Sequence, residues 1–221
     1  MPKSGQGVEN MSSEFASSDL TAGQLNAIVK KLGGHDAAMR FLRGELTVSE
    51  RTNLYRDTFG AIRFSVTSYG TTGEEWIRRL ESMRYSVTEG SKRLLRSERF
   101  KPTCGKTTEI AVIKGRPFHD EERRVAKIHS EAYARKYSQP NAEIACLIRE
   151  KFSDEDIASM GLTWIVVMHD PINKFSGEEH YLLGVSRYGE GRTLSEHHGN
   201  SDSWFCHEAG FAFVESTRAA S

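Results

Sequence analysis

Two hydrophobic periodicities alternate along this chain, one near 3.6 residues and one of 2, and they divide it into helical and extended stretches. Thr21 and Gln24 make a capping-box pattern ahead of Leu25, Ile28, Val29 and Leu32, which recur at helical spacing until Gly33 and Gly34 stop the run. A second short helix is predicted over residues 36–43, burying Ala37, Ala38 or Met39, Phe41 and Leu42, with Gly44 ending it before a strand-like 46–48. Together they form a tight helical hairpin. Ile62, Phe64 and Val66 then alternate as a half-buried strand. Thr72 and Glu75 repeat the capping-box pattern and open a helix with Trp76, Ile77, Leu80 and Met83 on one side and Arg78, Arg79 and Arg84 mostly elsewhere. Residues 85–87 read as an extended link, and Thr88 caps a further helix through Leu94 and Leu95 that ends before Lys101 and Pro102.

Beyond that point the pattern predicts a strand at 108–113 and a long helix over 120–137 with Val125, Ile128 and Ala132 inward. Pro140 suits the first turn of another helix, carrying Ile144, Leu147 and Ile148, and Ser153 with Asp156 caps a short one closed by Gly161. The rest reads as β. Residues 162–168 form a continuous apolar run typical of a central strand, 181–186 its antiparallel partner, 193–197 a strand after a turn at 189–192, and 211–214 the last one. The predicted fold class is α+β: a basic helical amino-terminal part followed by a mostly antiparallel sheet with covering helices. The expected division is a disordered tail at 1–18, a basic, mainly helical part at 19–102 and an α+β part at 103–221.

The longest uninterrupted apolar run is 164–168, far below the ~18 residues a membrane span requires, and residues 1–18 contain no apolar core of the kind a secretory signal needs. Cys104, Cys146 and Cys206 are odd in number, widely spaced and without a C-x-x-C pair, which favours a reducing compartment. A soluble cytoplasmic protein with no membrane partner is the expectation.

Charge changes the picture more than composition does. The formal net charge is +0, yet residues 21–150 hold 24 Lys and Arg against 16 Asp and Glu, while residues 151–221 hold 5 against 11. Such a basic segment either docks on an anionic partner or faces the acidic part of its own fold. Its densest run is Lys92, Arg93, Arg96, Arg99 and Lys101, with the single Glu98 and the interleaved Phe100. Clustered cations displace counterions from phosphate and an aromatic ring can stack on a base, although a solvated helix face has the same composition. The amino-terminal hairpin also fits a helix-turn-helix, which would offer His35, Arg40 and Arg43 to DNA; an ordinary helix stop at Gly33 explains the same residues. The expected function is a non-catalytic binding or regulatory protein. It would contact nucleic acid or an acidic partner through Arg78, Arg79, Lys92, Arg93, Arg96, Arg99 and Lys101.

Two chemical motifs compete with that reading. Gly105-Lys-Thr lacks the upstream glycine of a phosphate-binding loop, Phe100 standing in its place, and it precedes a strand instead of following one. Histidines carry the stronger signal, because His119, His129, His169, His180, His197, His198 and His207 all lie in the second half. If 162–169 pairs with 180–186, and Arg187 with Thr193, then His169 and His180 gather with His197 or His198 at one end of the sheet, with Asp170, Glu179 and Asp202 available; the expected metal set is His169, His180, His198 and Asp170. Imidazoles plus a carboxylate could hold a divalent metal such as zinc and leave a position for water, giving a metal-dependent hydrolase as the alternative function.

Residues 20–34 (Leu-Thr-Ala-Gly-Gln-Leu-Asn-Ala-Ile-Val-Lys-Lys-Leu-Gly-Gly), 160–172 (Met-Gly-Leu-Thr-Trp-Ile-Val-Val-Met-His-Asp-Pro-Ile) and 182–188 (Leu-Leu-Gly-Val-Ser-Arg-Tyr) resemble a group of bacterial hypothetical proteins with no assigned activity. The resemblance spans most of 20–214. It implies a bacterial cytoplasmic origin and a fold that holds both halves together, and it carries over no functional residue.

Overall fold

In the computed structural model, which describes residues 21–32, 34–44, 55–56, 60–173, 179–187 and 192–215, the capping patterns of the sequence do start helices. The expected tail at 1–18, the strand at 46–48 and most of the turn at 189–192 lie outside the described residues. The chain divides into two compact units, Met1–Arg51 and Thr52–Ser221.

The described part of the first unit is the hairpin of α1 (Ala22–Leu32) and α2 (His35–Leu42), turned at Gly34, whose φ of 102° suits a residue without Cβ. Gln24 N–H donates to Thr21 Oγ1 at 3.3 Å and Thr21 N–H donates back to Gln24 Oε1 at 2.8 Å. The expected inward side of the second helix is not realised. α2 buries no residue, and Phe41 is 40% and Leu42 75% exposed. Two helices of 11 and 8 residues meet along one line and enclose no core between them.

The second unit is built on one curled sheet. Its strands are β1 (Tyr55–Arg56), β2 (Ile62–Tyr69), β3 (Ser86–Val87), β4 (Cys104–Lys114), β5 (Tyr137–Ser138), β6 (Trp164–Val167), β7 (Ile172–Asn173), β8 (His180–Ser186), β9 (Thr193–His198) and β10 (Ala209–Glu215). They run in the order β1-β2-β4-β10-β6-β8-β9-β3, with β5 beside β10 and β7 beside β8. Neighbours are antiparallel except β6 with β10 and β3 with β9. The fold is thus α+β with a mostly antiparallel sheet.

Helices α3 (Gly73–Ser82), α4 (Glu89–Leu95), α6 (Ile144–Lys151) and α7 (Asp154–Ser159) supply side chains to the core on one face, among them Trp76, Leu80, Leu94, Ile148 and Ile157. On the other, Val125, Ile128 and Ala132 of α5 (Val125–Ala134) pack with Phe211, Phe213 and Ile113. Alternation along β4 and β10 makes both cores possible, since Ile110 and Val112 enter the first while Ala111 and Ile113 enter the second. Burying each large apolar side chain stabilises the fold by about 1.5–3 kcal/mol.

One helix boundary differs from the sequence expectation. The helix predicted at 120–137 splits into a single 3-10 turn, Asp120–Glu122, and α5. Arg124 between them is extended (φ −101°, ψ 149°) and bridges Trp204, so the helix cannot begin earlier. Across the run 102–106, β2 pairs with β4 from Ile62↔Val112 to Tyr69↔Cys104, with a register shift between Thr67 and Tyr69. Thr103 is held on both sides: its N–H donates to Glu143 Oε2 at 2.7 Å and its carbonyl accepts from Gly70 N–H at 2.7 Å.

Candidate functional site

The cationic side chains of α3 and α4 are fixed by what those helices bury. Thr72 caps α3, receiving Glu75 N–H at 3.4 Å while Glu75 Oε2 accepts Thr72 N–H at 2.8 Å, and Thr88 caps α4, receiving Ser91 N–H at 3.1 Å. With Trp76, Ile77, Leu80, Leu94 and Leu95 turned into the core, Arg78, Arg79, Arg93 and Arg96 emerge on the exposed side and Lys92 sits half-buried. The helices approach closely at Gly73, where an added Cβ would come within 1.9 Å of the Leu95 carbonyl oxygen.

Carboxylates of the same segment meet several of these cations. Arg96 bonds Glu74 at 2.8 Å, and Lys92 lies 3.0 Å from Glu81 and 2.9 Å from Glu89. The hydrogen bond from Arg96 holds the Glu74 carboxyl below its usual range, and the one from Lys92 does the same for Glu89. Arg79 bonds Glu150 of α6 at 2.5 Å. Arg78 and Arg99 instead donate to backbone carbonyls, those of Glu74 at 3.5 Å and Pro171 at 3.3 Å. The carboxylate partners of Arg79, Lys92 and Arg96 therefore come from the basic part of the chain itself, whereas Arg63 and Arg149 pair with Glu215 and Asp154 beyond it.

The segment that follows α4 is different. Residues 99–108 contain Arg99, Lys101 and Lys106 and no carboxylate. All three cations are exposed, and among the described residues neither Lys101 nor Lys106 is ion-paired. Phe100, the ring that the sequence offers for base stacking, is buried in the core and unavailable to a ligand. The exposed ring is Tyr69, 59% accessible at the end of β2 and directly opposite Cys104 of β4. The guanidinium of Arg79 lies 5.8 Å from its centroid. Nearby, Lys106 N–H donates to Ser68 Oγ at 3.2 Å. Extending the alternation of Ile62, Phe64 and Val66 to Ser68 makes Tyr69 outward-facing, so this residue was readable from the pattern.

His169, His180, His198 and Asp170 are not brought together. His169 is buried with both ring nitrogens engaged: Nδ1 donates to the Asp170 carbonyl at 2.7 Å and Nε2 accepts Leu183 N–H at 2.9 Å. No lone pair is left for a metal. Burial pushes its pKa down to about 4. Thr193 pairs with Ser186, not Arg187, so His198 falls opposite Tyr181 and on the other face of the sheet from His180. Its ring lies 5.1 Å from that of Tyr181, and Asp170 is exposed. Among the described residues no group of three or more His, Cys, Asp or Glu is arranged to hold a metal ion.

His197, opposite Leu182, packs over Gly184, where a Cβ would come within 2.8 Å of its Nε2. That nitrogen is 3.2 Å from Ser195 Oγ, and burial holds the ring at a pKa of about 4. In the hairpin unit, His35, Arg40 and Arg43 are exposed. No described helix is long and apolar enough to cross a membrane. No family model, no curated protein and no solved structure matches this chain.

Proposed function

We propose that this chain is a non-catalytic binding protein that docks on nucleic acid through the exposed cationic side of α3, α4 and the segment leading into β4. The observation that carries the reading is the run 99–108, in which Arg99, Lys101 and Lys106 stand exposed with no carboxylate among them. Ion pairs on the neighbouring helices do not oppose it. Exposed pairs are worth only about 0–1 kcal/mol, and a phosphate exchanges readily for a surface carboxylate. Arg78, Arg79, Lys92, Arg93 and Arg96 then extend the surface along the backbone of the ligand, and binding is driven by counterion release.

Fluorescence anisotropy with a labelled oligonucleotide at two ionic strengths tests this. Binding is expected at low salt and should weaken steeply as salt rises. Lys101→Glu combined with Lys106→Glu should lower the salt slope by about 1 for each phosphate left without its cation. Absence of binding at low salt removes the reading. Displacement of the oligonucleotide by polyglutamate as effectively as by DNA would reassign the surface to an acidic protein partner.

A further inference from the structure

Resting on that reading, we infer that the nucleic acid is single-stranded and that Tyr69 is the platform on which one of its bases stacks. A cationic face alone cannot distinguish a duplex from an unpaired strand, because both present phosphates. What distinguishes them is an exposed aromatic ring among the cations, which only an unstacked base can cover. Tyr69 has that position. It ends β2, pairs with Cys104, and is followed by Gly70, whose N–H donates to the Thr103 carbonyl at 2.7 Å. Lys101 and Lys106 bracket the strand segment opposite it.

The ring is also held in place. Arg79 lies over it at 5.8 Å, and Arg79 is itself fixed by Glu150 at 2.5 Å and by the Trp76 ring at 5.4 Å. Arg79 is thus ordered over the ring before any ligand arrives, and Lys101 and Lys106, unpaired among the described residues, supply the charge for neighbouring phosphates. The regular ladder below ends where the Thr67 and Thr107 hydroxyls are 2.9 Å apart, and a register shift separates it from the Tyr69↔Cys104 pair. The arrangement has a ring for the base, Arg79 beside it, and Lys101 and Lys106 for flanking phosphates.

Three labelled ligands of equal length decide the point: oligothymidylate, the same strand with abasic sites, and a duplex. The wild-type protein should prefer oligothymidylate over the abasic strand by about 5- to 140-fold, the range of one base stacked on an aromatic ring. Tyr69→Ala should abolish that preference while leaving the salt dependence unchanged, and Tyr69→Phe should retain it. Circular dichroism and urea midpoints of both variants establish that they fold. Equal affinity for thymidylate and abasic strands, tighter binding of the duplex, or a Tyr69→Ala protein that behaves as wild type would overturn the stacking assignment while the polyanion reading stands. Failure to bind any of the three at low salt would overturn both.

Discussion

His169 illustrates how burial turns a side chain that looks like a ligand into a structural one. Its two nitrogens serve the Asp170 carbonyl and the Leu183 amide, which requires a neutral ring with the proton on Nδ1. With a folded pKa of about 4 against an ordinary 6.5, the unfolded chain binds the proton more readily than the folded one. The resulting stability is complete above pH 6.5 and is lost as pH falls from 6.5 towards 4, an effect on the order of 3 kcal/mol at most. His197 acts in the same window and the same direction. Urea midpoints measured between pH 7.5 and 4.5 should therefore decline, and His169→Gln, which keeps an acceptor for Leu183 N–H but does not titrate, should flatten the curve. A wild-type midpoint that is level across this range would contradict the burial argument. Ligand spacing in a sequence does not reveal such a role, because the partners of His169 are backbone atoms that only the folded β6–β8 register supplies.

At the scale of elements, much of the structure was legible where the determining interaction is local. Thr72 with Glu75 and Ser153 with Asp156 satisfy helix amino-terminal amides within four residues, and the structure contains both capping boxes. The alternation at Ile62, Phe64 and Val66 gives β2 and identifies its inward side. Features set across the chain were not legible. A one-residue difference in the β8–β9 register moves His198 to the opposite face from His180, and a turn's length alone does not fix that register. Phe100 lies among cations in sequence but follows α4 into the core, so its neighbours in the chain misrepresent its surroundings. The approach of α3 to α4 gives a sharp prediction. Gly73→Ala places a methyl 1.9 Å from the Leu95 carbonyl, which must separate the two helices, and a loss of about 1–3 kcal/mol is expected in chemical denaturation. Thr72→Ala at the adjacent cap should cost only ~1 kcal/mol, which makes it a useful control for a helix whose start is weakened while its packing against α4 is kept.

For the whole molecule, the formal neutrality of the chain conceals a division that the fold does not erase. Arg96 with Glu74 and Lys92 with Glu81 join neighbours within the basic part, while Arg63 with Glu215 and Arg149 with Asp154 pair across the division and offset part of the surplus. The surplus concentrates where carboxylates are missing, at 99–108, and not where cations are densest.

The position of β10 carries a further consequence. Residues 209–215 lie between β4 and β6, so a strand synthesised after both of its neighbours is the one that joins the two halves of the sheet. During synthesis the β2–β4 ribbon and the β6–β8–β9 meander must wait, each with an open edge, until this stretch leaves the ribosome. Assembly of the whole sheet is deferred to that moment, and in the interval the unsealed edges are the points where a holding chaperone would bind or a stray strand would attach.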